Sequence, residues 1–201
     1  MALQVLPITR QSYRQAAFVL GKAFVDEPVS ALIYRRFSPQ QRVRALTVDF
    51  SAELLVNLRI GCPIQVEDDG SVAAAAIIYP PRTYPLPWYV GWIFLIKSVL
   101  RNGRYDIRSW IRWLNEVDKI HPTEPHYYLE CIGVEPSYHR KGLGSLIMDH
   151  LITRADADRC GCYLENADHR NIPFYERFGF QIIDQKEIVG IPTWFMWRKS
   201  S

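Results

Sequence analysis

The sequence YYLECIGVEPSYHRKGLGSLIMDHL, residues 127–151, decides the fold of this chain. Its first part is apolar and aromatic-rich and ends before Pro136, which is typical of a β-strand. Apolar residues then recur at helical spacing, at Leu143, Ile147 and Leu151. The stretch therefore predicts a strand, a basic turn with two glycines, and a helix.

The turn between this strand and this helix has the chemistry of a phosphate-binding site. The first amides of a helix have no intrahelical acceptor and carry partial positive charge, so they attract an anion. Gly142 and Gly144 carry no Cβ, so a phosphate can approach the backbone closely. Arg140 and Lys141 add formal positive charge at the same place.

The segment VEPSYHRKGLGS resembles the central motif of the GNAT superfamily, the acyl-CoA-dependent N-acetyltransferases. In that motif a strand ends in Val-x-Pro, and Gln/Arg-x-x-Gly-x-Gly/Ala opens a helix. Val134, Pro136, Gly142 and Gly144 match this pattern. His139 stands where the family has Gln or Arg, and it can still offer a hydrogen-bond donor.

The resemblance implies a binding site for acetyl-CoA, the acyl donor of the superfamily, and no metal. The strand backbone would pair with the pantetheine arm of coenzyme A, and the turn would hold its pyrophosphate. The cofactor-binding residues implied are Ile132, Gly133, Val134, His139, Arg140, Lys141, Gly142, Leu143, Gly144 and Ser145.

A second resemblance to the superfamily lies in NADHRNIPFYERFGF, residues 166–180. Members often carry an Asn, then a short helix with a Tyr, then Gly-Phe. Tyr175 and the Gly-Phe pair match, but Asp168 stands at the Asn position. Asn166 and Asn171 flank that position, so either one is a candidate for the cofactor contact. The sequence around Tyr175 looks most like that of the branch that contains puromycin-N-acetyltransferase-like proteins.

The order of the elements also resembles this superfamily and predicts one domain over residues 1–201. We expect an α/β (α+β) fold with a mixed central sheet of about seven strands and helices on both faces. The two strands in the middle would be parallel, since a helix connects them. The resemblance implies that these two strands splay apart. Ser38 with Gln41 predicts a capping box, and Asp69-Gly70 predicts a hairpin turn.

Residues 83–122 are the least standard part and predict a helical, tryptophan-rich insertion. Trp88, Trp92, Trp110 and Trp113 lie within it. One interpretation is a helical hairpin that packs on the sheet. The other is an aromatic lid or pocket for an apolar acceptor. The two are compatible, because one face can pack while the other lines a cleft.

The implied reaction is direct transfer of an acetyl group from acetyl-CoA to a primary amine in a ternary complex. The amine must lose a proton, and the departing thiolate must gain one. Tyr175 is the acid candidate. Glu130 is either the base, through water, or a strand carboxylate paired with a neighbouring Arg or His. His126 is a third candidate, or a histidine at the strand start with no catalytic role.

Strand alternation predicts Tyr128, Glu130, Ile132 and Val134 on one face and Cys131 on the other. A covalent acyl-cysteine route is therefore not expected, because no base would lie near that thiol.

The composition favours one soluble domain without a nucleic-acid or membrane partner. The chain has 201 residues, 48% hydrophobic content and a net charge of +3. Its N-terminal segment lacks the long apolar core of a signal peptide, and its four cysteines are expected to be free thiols in a cytoplasmic protein. The expected partner is a small-molecule or peptide amine, with the protein a monomer or a homodimer.

Two other functions remain as alternatives. One is a non-catalytic CoA-binding sensor or interaction module on the same fold. The other is a dinucleotide-binding oxidoreductase, with Gly142 as the first glycine of G-x-G-x-x-G. It is disfavoured because Ile147 stands where the third glycine is needed.

Overall fold

The computed structural model describes residues 3–86, 91–92, 96 and 106–201. Its strands are β1 (Gln4–Pro7), β2 (Ile64–Asp68), β3 (Ser71–Tyr79), β4 (His126–Val134), β5 (Gly161–Asn166), β6 (Gln181–Ile188) and β7 (Ile191–Arg198). They form one seven-stranded sheet in the order β1-β2-β3-β4-β5-β7-β6. Neighbouring strands are antiparallel except β4 and β5, which are parallel in the middle of the sheet.

Helices cover both faces of this sheet. They are α1 (Tyr13–Ala23), α2 (Pro28–Ile33), α3 (Pro39–Ile60), α4 (Ile107–Asp118), α5 (Leu143–Ala157) and α6 (Ile172–Glu176). Helices α1 to α4 form one buried hydrophobic cluster with the sheet. Helices α5 and α6 form a second hydrophobic cluster with it. This arrangement confirms the predicted α/β (α+β) fold, including its strand number and its central parallel pair. Within the described part of the chain, no helix combines the length and the apolar character needed to cross a membrane.

Several local motifs have the geometry that the sequence predicts. Ser38 Oγ accepts from the Gln41 amide, and Gln41 Oε1 accepts from the Ser38 amide, which completes a capping box at the start of α3. Between β2 and β3, Asp69 and Gly70 have φ of +48° and +75°. Positive φ at both central positions is the requirement of a two-residue hairpin turn whose twist matches the strands.

A β-bulge at Glu130 overturns the predicted alternation along β4. The register with β3 passes from Leu129 to Cys131 and leaves Glu130 as the extra residue. Because an extra residue shifts the parity of every following side chain, Tyr128 and Cys131 lie on the same face, toward α1 to α4. Ile132 packs on the opposite face, toward α5. The predictions that Ile132 and Val134 share a face with Tyr128, and that Cys131 lies opposite, are therefore wrong.

The described part of the 83–122 segment packs on the same face as α3. Val117 of α4 is buried, and Trp110 and Trp113 pack against the core. Trp92 is 58% exposed. Trp88 lies outside the described residues. The bounds of the 83–122 insertion stay a prediction, and so does the assignment of the whole chain to a single domain.

Candidate functional site

The two central strands pair only at their beginnings. Residues 126–128 of β4 pair with residues 161–163 of β5. No further pairing joins the two strands in the part of the chain that the structure describes, although β4 continues to Val134 and β5 to Asn166. A first cleft of about 740 Å³ opens where they diverge. One edge of β4 therefore offers its backbone groups to a ligand in this cleft.

The start of α5 forms one end of the first cleft. Gly142 is its N-cap with φ +82°, a conformation that favours glycine, and no side chain caps the helix. Leu143, Gly144 and Ser145 of the first turn line the cleft. A Cβ added to Gly144 would lie 3.4 Å from the Phe174 ring, so the helix passes α6 at close range. The uncapped amides suit an anion such as phosphate.

The basic residues of the turn divide into different roles. Arg140 is exposed and lines the first cleft. His139 Nε2 donates to the Val134 carbonyl at 3.2 Å and so ties the turn to the end of β4. Lys141 places its ammonium 4.4 Å from the centre of the Tyr138 ring. Among the predicted cofactor residues, Lys141 alone does not line the first cleft.

The two candidate asparagines differ in how their amides are used. Asn166 is 6% exposed, and its side chain bonds to both the amide and the carbonyl of Asp168. Asn171 is exposed, and its side chain does not cap the short helix that follows. Both line the first cleft. The side chain of Asn171 is therefore the better placed of the two to contact a ligand.

Tyr175 lies on the wall of the first cleft and is 8% exposed. Burial raises its pKa, and the nearby Cys131 thiol adds to the rise. The phenol is therefore protonated at neutral pH and can donate a proton or a hydrogen bond into the cleft.

Glu130 lies where the first cleft meets a second one. Burial raises its pKa, and Glu165 raises it further, whereas a hydrogen bond with Glu53 of α3 and one from Tyr79 lower it. Burial also raises the pKa of Glu53, and so does the charge of Glu130. Two touching buried carboxyls cannot both ionise easily, so the pair holds one proton. Among the described residues Glu130 thus pairs with another carboxyl, and His121 also lowers its pKa.

The second cleft measures about 250 Å³ and lies between α2, α3, α4 and β4. It meets the first cleft at Glu27, Glu130 and Glu165, which line both. Its lining combines carboxylates with aromatic rings, among them Trp110 and Trp113. No Lys, Arg or His occurs among its described lining residues. This lining suits a ligand with a positive charge and an apolar body.

The remaining candidates, Cys131 and His126, fit a catalytic role poorly. Burial raises the pKa of Cys131, as do Glu53 and Glu130, so the thiol stays protonated. His126 lines neither cleft and bonds to the Glu124 carbonyl. In the described residues, no group of three or more His, Cys, Asp or Glu could hold a metal ion.

Sequence reasoning missed three polar residues near the junction: Glu53, Glu165 and His121. Glu53 contacts Glu130, and His121 faces Glu165, in both cases across a long stretch of sequence, so spacing carries no trace of these two contacts. One signal exists for Glu53. With Asp49 it forms an acidic i, i+4 pair beside an otherwise apolar face of α3, and Asp49 is 6% exposed.

A family profile now gives the deciding observation. The profile of the acetyltransferase (GNAT) family matches residues 32–180, well over half of the chain. The chain belongs to the GNAT acetyltransferase family. This confirms the predicted superfamily, whereas the puromycin-like branch stays a prediction.

Other GNAT proteins resemble the chain over most of its length. An uncharacterized N-acetyltransferase of Schizosaccharomyces pombe is 24% identical over 189 residues, which cover 86% of this chain and 72% of the relative. A crystal structure from Corynebacterium glutamicum, described as histone acetyltransferase HPA2 and related acetyltransferase, superposes with a TM-score of 0.71 at 22% identity. The match covers 100% of this chain and 98% of the Corynebacterium chain. The PaiA N-acetyltransferase of Thermoplasma acidophilum, in complex with coenzyme A, has a TM-score of 0.60 and 11% identity, with 99% of each chain covered. These structures share the fold.

Proposed function

We propose that this GNAT protein transfers an acetyl group from acetyl-CoA to a primary amine by direct attack in a ternary complex. The observation that carries the proposal is the meeting of the two clefts at Glu130 and Glu165. One cleft begins at uncapped helix amides, and the other is acidic and aromatic. A donor and an acceptor can therefore reach each other without leaving the protein.

The first cleft fits acetyl-CoA as the acyl donor. The amides of α5 and the guanidinium of Arg140 suit its phosphates. The open edge of β4 suits the pantetheine arm, which carries amides of its own. A protein of this fold, the PaiA N-acetyltransferase of Thermoplasma acidophilum, forms a complex with coenzyme A, which supports the choice of ligand. Asn171 is the asparagine that we assign to this ligand.

The second cleft fits the acceptor. A primary amine is an ammonium ion in water at neutral pH, and the carboxylates of this cleft attract it. Trp110 and Trp113 give its body an apolar surface, as the pocket interpretation of the tryptophan-rich segment predicts. An acceptor that carries a carboxylate would meet no cation among the described lining residues.

The residues at the junction supply the proton transfers. A carboxylate there takes up the proton that the ammonium loses, and Glu130 and Glu165 are candidates for this base because both line the two clefts. The nitrogen lone pair attacks the thioester carbonyl, which a strand amide near Ile132 or Gly133 would polarise. The C–N bond forms, the C–S bond breaks, Tyr175 donates its proton to the leaving sulfur, and the resulting phenolate takes up the second proton that the nitrogen loses as the amide forms. Protonated Cys131 takes no covalent part.

Thiol release from acetyl-CoA tests the proposal. Purified protein is mixed with acetyl-CoA and a panel of alkylamines, diamines, arylalkylamines and short peptides, and each product is identified by mass spectrometry. We expect amine-dependent thiol release together with an N-acetylated product. Binding of coenzyme A in calorimetry without turnover of any amine would favour the non-catalytic sensor instead. Absence of coenzyme A binding would remove the proposal. The cytoplasmic location and the monomeric or homodimeric state are separate predictions.

A further inference from the structure

Three buried side chains form a line that ends at the junction of the two clefts. His126 Nδ1 lies 2.6 Å from the Glu124 carbonyl oxygen, and His126 Nε2 lies 3.0 Å from His121 Nε2. His121 Nδ1 faces Glu165 Oε1 at 3.7 Å, and the side chains of His121 and Glu165 are each 4% exposed. Neither of these two facing atoms has a hydrogen-bond partner among the described residues.

The backbone carbonyl fixes the direction of every hydrogen bond in this line. A carbonyl only accepts, so His126 Nδ1 carries a hydrogen and donates to the Glu124 oxygen. Burial lowers the pKa of His126, so its ring is neutral at pH 7 and its Nε2 is an acceptor. His121 must then donate through its own Nε2. Its Nδ1 faces Glu165 and carries a lone pair when the ring is the neutral Nε2–H tautomer.

In this tautomer Nδ1 and an ionised Glu165 Oε1 are both acceptors, and the two atoms stand 3.7 Å apart, beyond the range of a hydrogen bond. A proton delivered to either atom would convert the contact into a charge-assisted hydrogen bond between an imidazolium and a carboxylate. The arrangement is a buried acceptor for one proton, and Glu165 connects it to both clefts.

We infer that Glu165 is the catalytic base of the acyl transfer, with His121 as the second holder of the proton and His126 as the positioning residue. This inference rests on the proposed function. In the step, an N–H bond of the ammonium breaks and an O–H bond forms on Glu165, while the electron pair stays on nitrogen. Glu165 passes the proton to His121 Nδ1, and the free amine attacks the thioester.

Glu130 is less suited to this role, although it lies at the same junction. It already hydrogen-bonds to Glu53, and those two carboxyls share a proton. Taking another proton would neutralise the whole pair and remove the charge that attracts the ammonium. Glu165 instead has the His121 imidazole behind it, which in its neutral form can take the proton onward. Glu130 then stays charged and holds the ammonium in place.

Aromatic rings and acidic side chains surround the line. Tyr84 stacks on its ring at 3.6 Å between centroids, and Tyr128 and Tyr163 contact it edge-on. Glu130 and Asp118 also act electrostatically on this cluster. Among the described residues, the titratable neighbours of His121 and Glu165 are Tyr84, Asp118, His126, Tyr128, Glu130 and Tyr163. None of these six is a lysine or an arginine, so no cation among them pairs with Glu165.

Steady-state kinetics with Glu165→Gln test the catalytic part. The probe is acetyl-CoA with the best primary amine of the panel. At pH 7 we expect kcat/KM for the amine to fall by about 10²–10⁴-fold while acetyl-CoA binds normally in calorimetry. The loss should shrink as pH rises, because the amine then arrives already deprotonated. His121→Gln should give a smaller loss with the same pH trend. Glu187→Gln and His150→Gln, both at exposed positions, are the matched controls.

An equal loss of kcat/KM at every pH would mean that Glu165 and His121 have only a structural role. Unchanged kcat/KM in both variants would overturn the inference. Nitrogen-15 NMR of the histidine rings in the wild-type protein gives a readout that needs neither turnover nor a folded variant. We expect His126 as the Nδ1–H tautomer and His121 as the Nε2–H tautomer at pH 7. An imidazolium or an Nδ1–H tautomer at His121 in the free protein would overturn it. If no amine is acetylated, the proposed function fails, whereas the NMR result still decides the tautomers.

Discussion

Glu53 on α3 and Glu130 on β4 hydrogen-bond to each other in the wall of the second cleft. The bulge in β4 turns Glu130 toward α3, which brings the two carboxyls together. Burial raises the pKa of both, so the protein stores a proton at the point where an ammonium is expected to bind. A cation that enters the cleft favours release of this proton, which couples acceptor binding to pH.

Replacing Glu53 by Gln should make the protein more stable at high pH. The pKa of Glu53 is raised in the folded state above its usual value of 4.5. The stability from its protonated form is therefore complete below pH 4.5 and is lost as pH rises through the folded pKa. Glutamine mimics the neutral form at every pH, so the gain in Tm over the wild type should grow from pH 5 to pH 8. Each kcal/mol corresponds to about 2–4 °C in a protein of this size.

Calorimetric melting at pH 5, 6, 7 and 8 measures this trend, with the exposed Glu187→Gln as the control. A Tm difference that stays constant across these values would mean that Glu53 is ionised in the folded protein.

The local sequence predicts the phosphate-binding turn, the capping box and the hairpin because each depends on residues a few positions apart. The capping box of Ser38 with Gln41 and the positive φ of Gly142 are examples. The site chemistry depends on contacts between distant segments. The bulge at Glu130 is set by the register with β3, and one extra residue reverses the facing of Ile132. No pattern within β4 carries that information.

The same limit applies to Lys141, whose contact with the cofactor stays a prediction. The sequence places Arg140 and Lys141 side by side, so both are predicted to bind phosphate. In the structure Arg140 has φ +63°, and the sharp turn sends the Lys141 ammonium over the Tyr138 ring. Adjacent charges therefore point to different places, and only a three-dimensional view of the turn separates them.

Arg140→Gln should weaken binding of coenzyme A more than Lys141→Gln does. Arg140 lines the first cleft, whereas Lys141 does not. A guanidinium in contact with phosphate contributes about 1.5–3 kcal/mol, so we expect a loss of roughly tenfold or more in affinity. Titration calorimetry at two salt concentrations measures both effects, and the salt dependence should fall in the Arg140 variant only. Equal losses in the two variants would show that the turn acts as a diffuse positive patch.

Gly144→Val should also weaken binding of coenzyme A. A Cβ at this position would lie 3.4 Å from the Phe174 ring, and a branched side chain would fill the space beside the first amides of α5. We expect a loss of at least about tenfold in affinity, equal to 1.4 kcal/mol. Ala157→Val, at the exposed end of the same helix, is the control. Unchanged affinity in the Gly144 variant would place the phosphates away from this helix.

Trp113→Ala should raise KM for the acceptor amine without changing KM for acetyl-CoA. Trp113 lines the second cleft, and its indole nitrogen is buried without a hydrogen-bond partner among the described residues. Removing the ring takes away apolar surface from the acceptor, with an expected increase of about tenfold. Trp92→Ala is the control, because Trp92 is 58% exposed and does not line this cleft. A change in Tm alone would indicate that Trp113 only packs against the core.

Tyr175→Phe should slow the reaction and leave binding of acetyl-CoA intact. Burial raises the pKa of Tyr175, so its phenol is protonated at neutral pH and can give a proton to the departing sulfur. Phenylalanine keeps the ring that packs against Phe180 but removes the donor. We expect kcat to fall by about 10²–10⁴-fold. Tyr127→Phe is the matched control, because Tyr127 is buried and bonds to Asp158 outside the first cleft. Near-normal kcat in the Tyr175 variant would mean that the Tyr175 hydroxyl is not needed and that water protonates the thiolate.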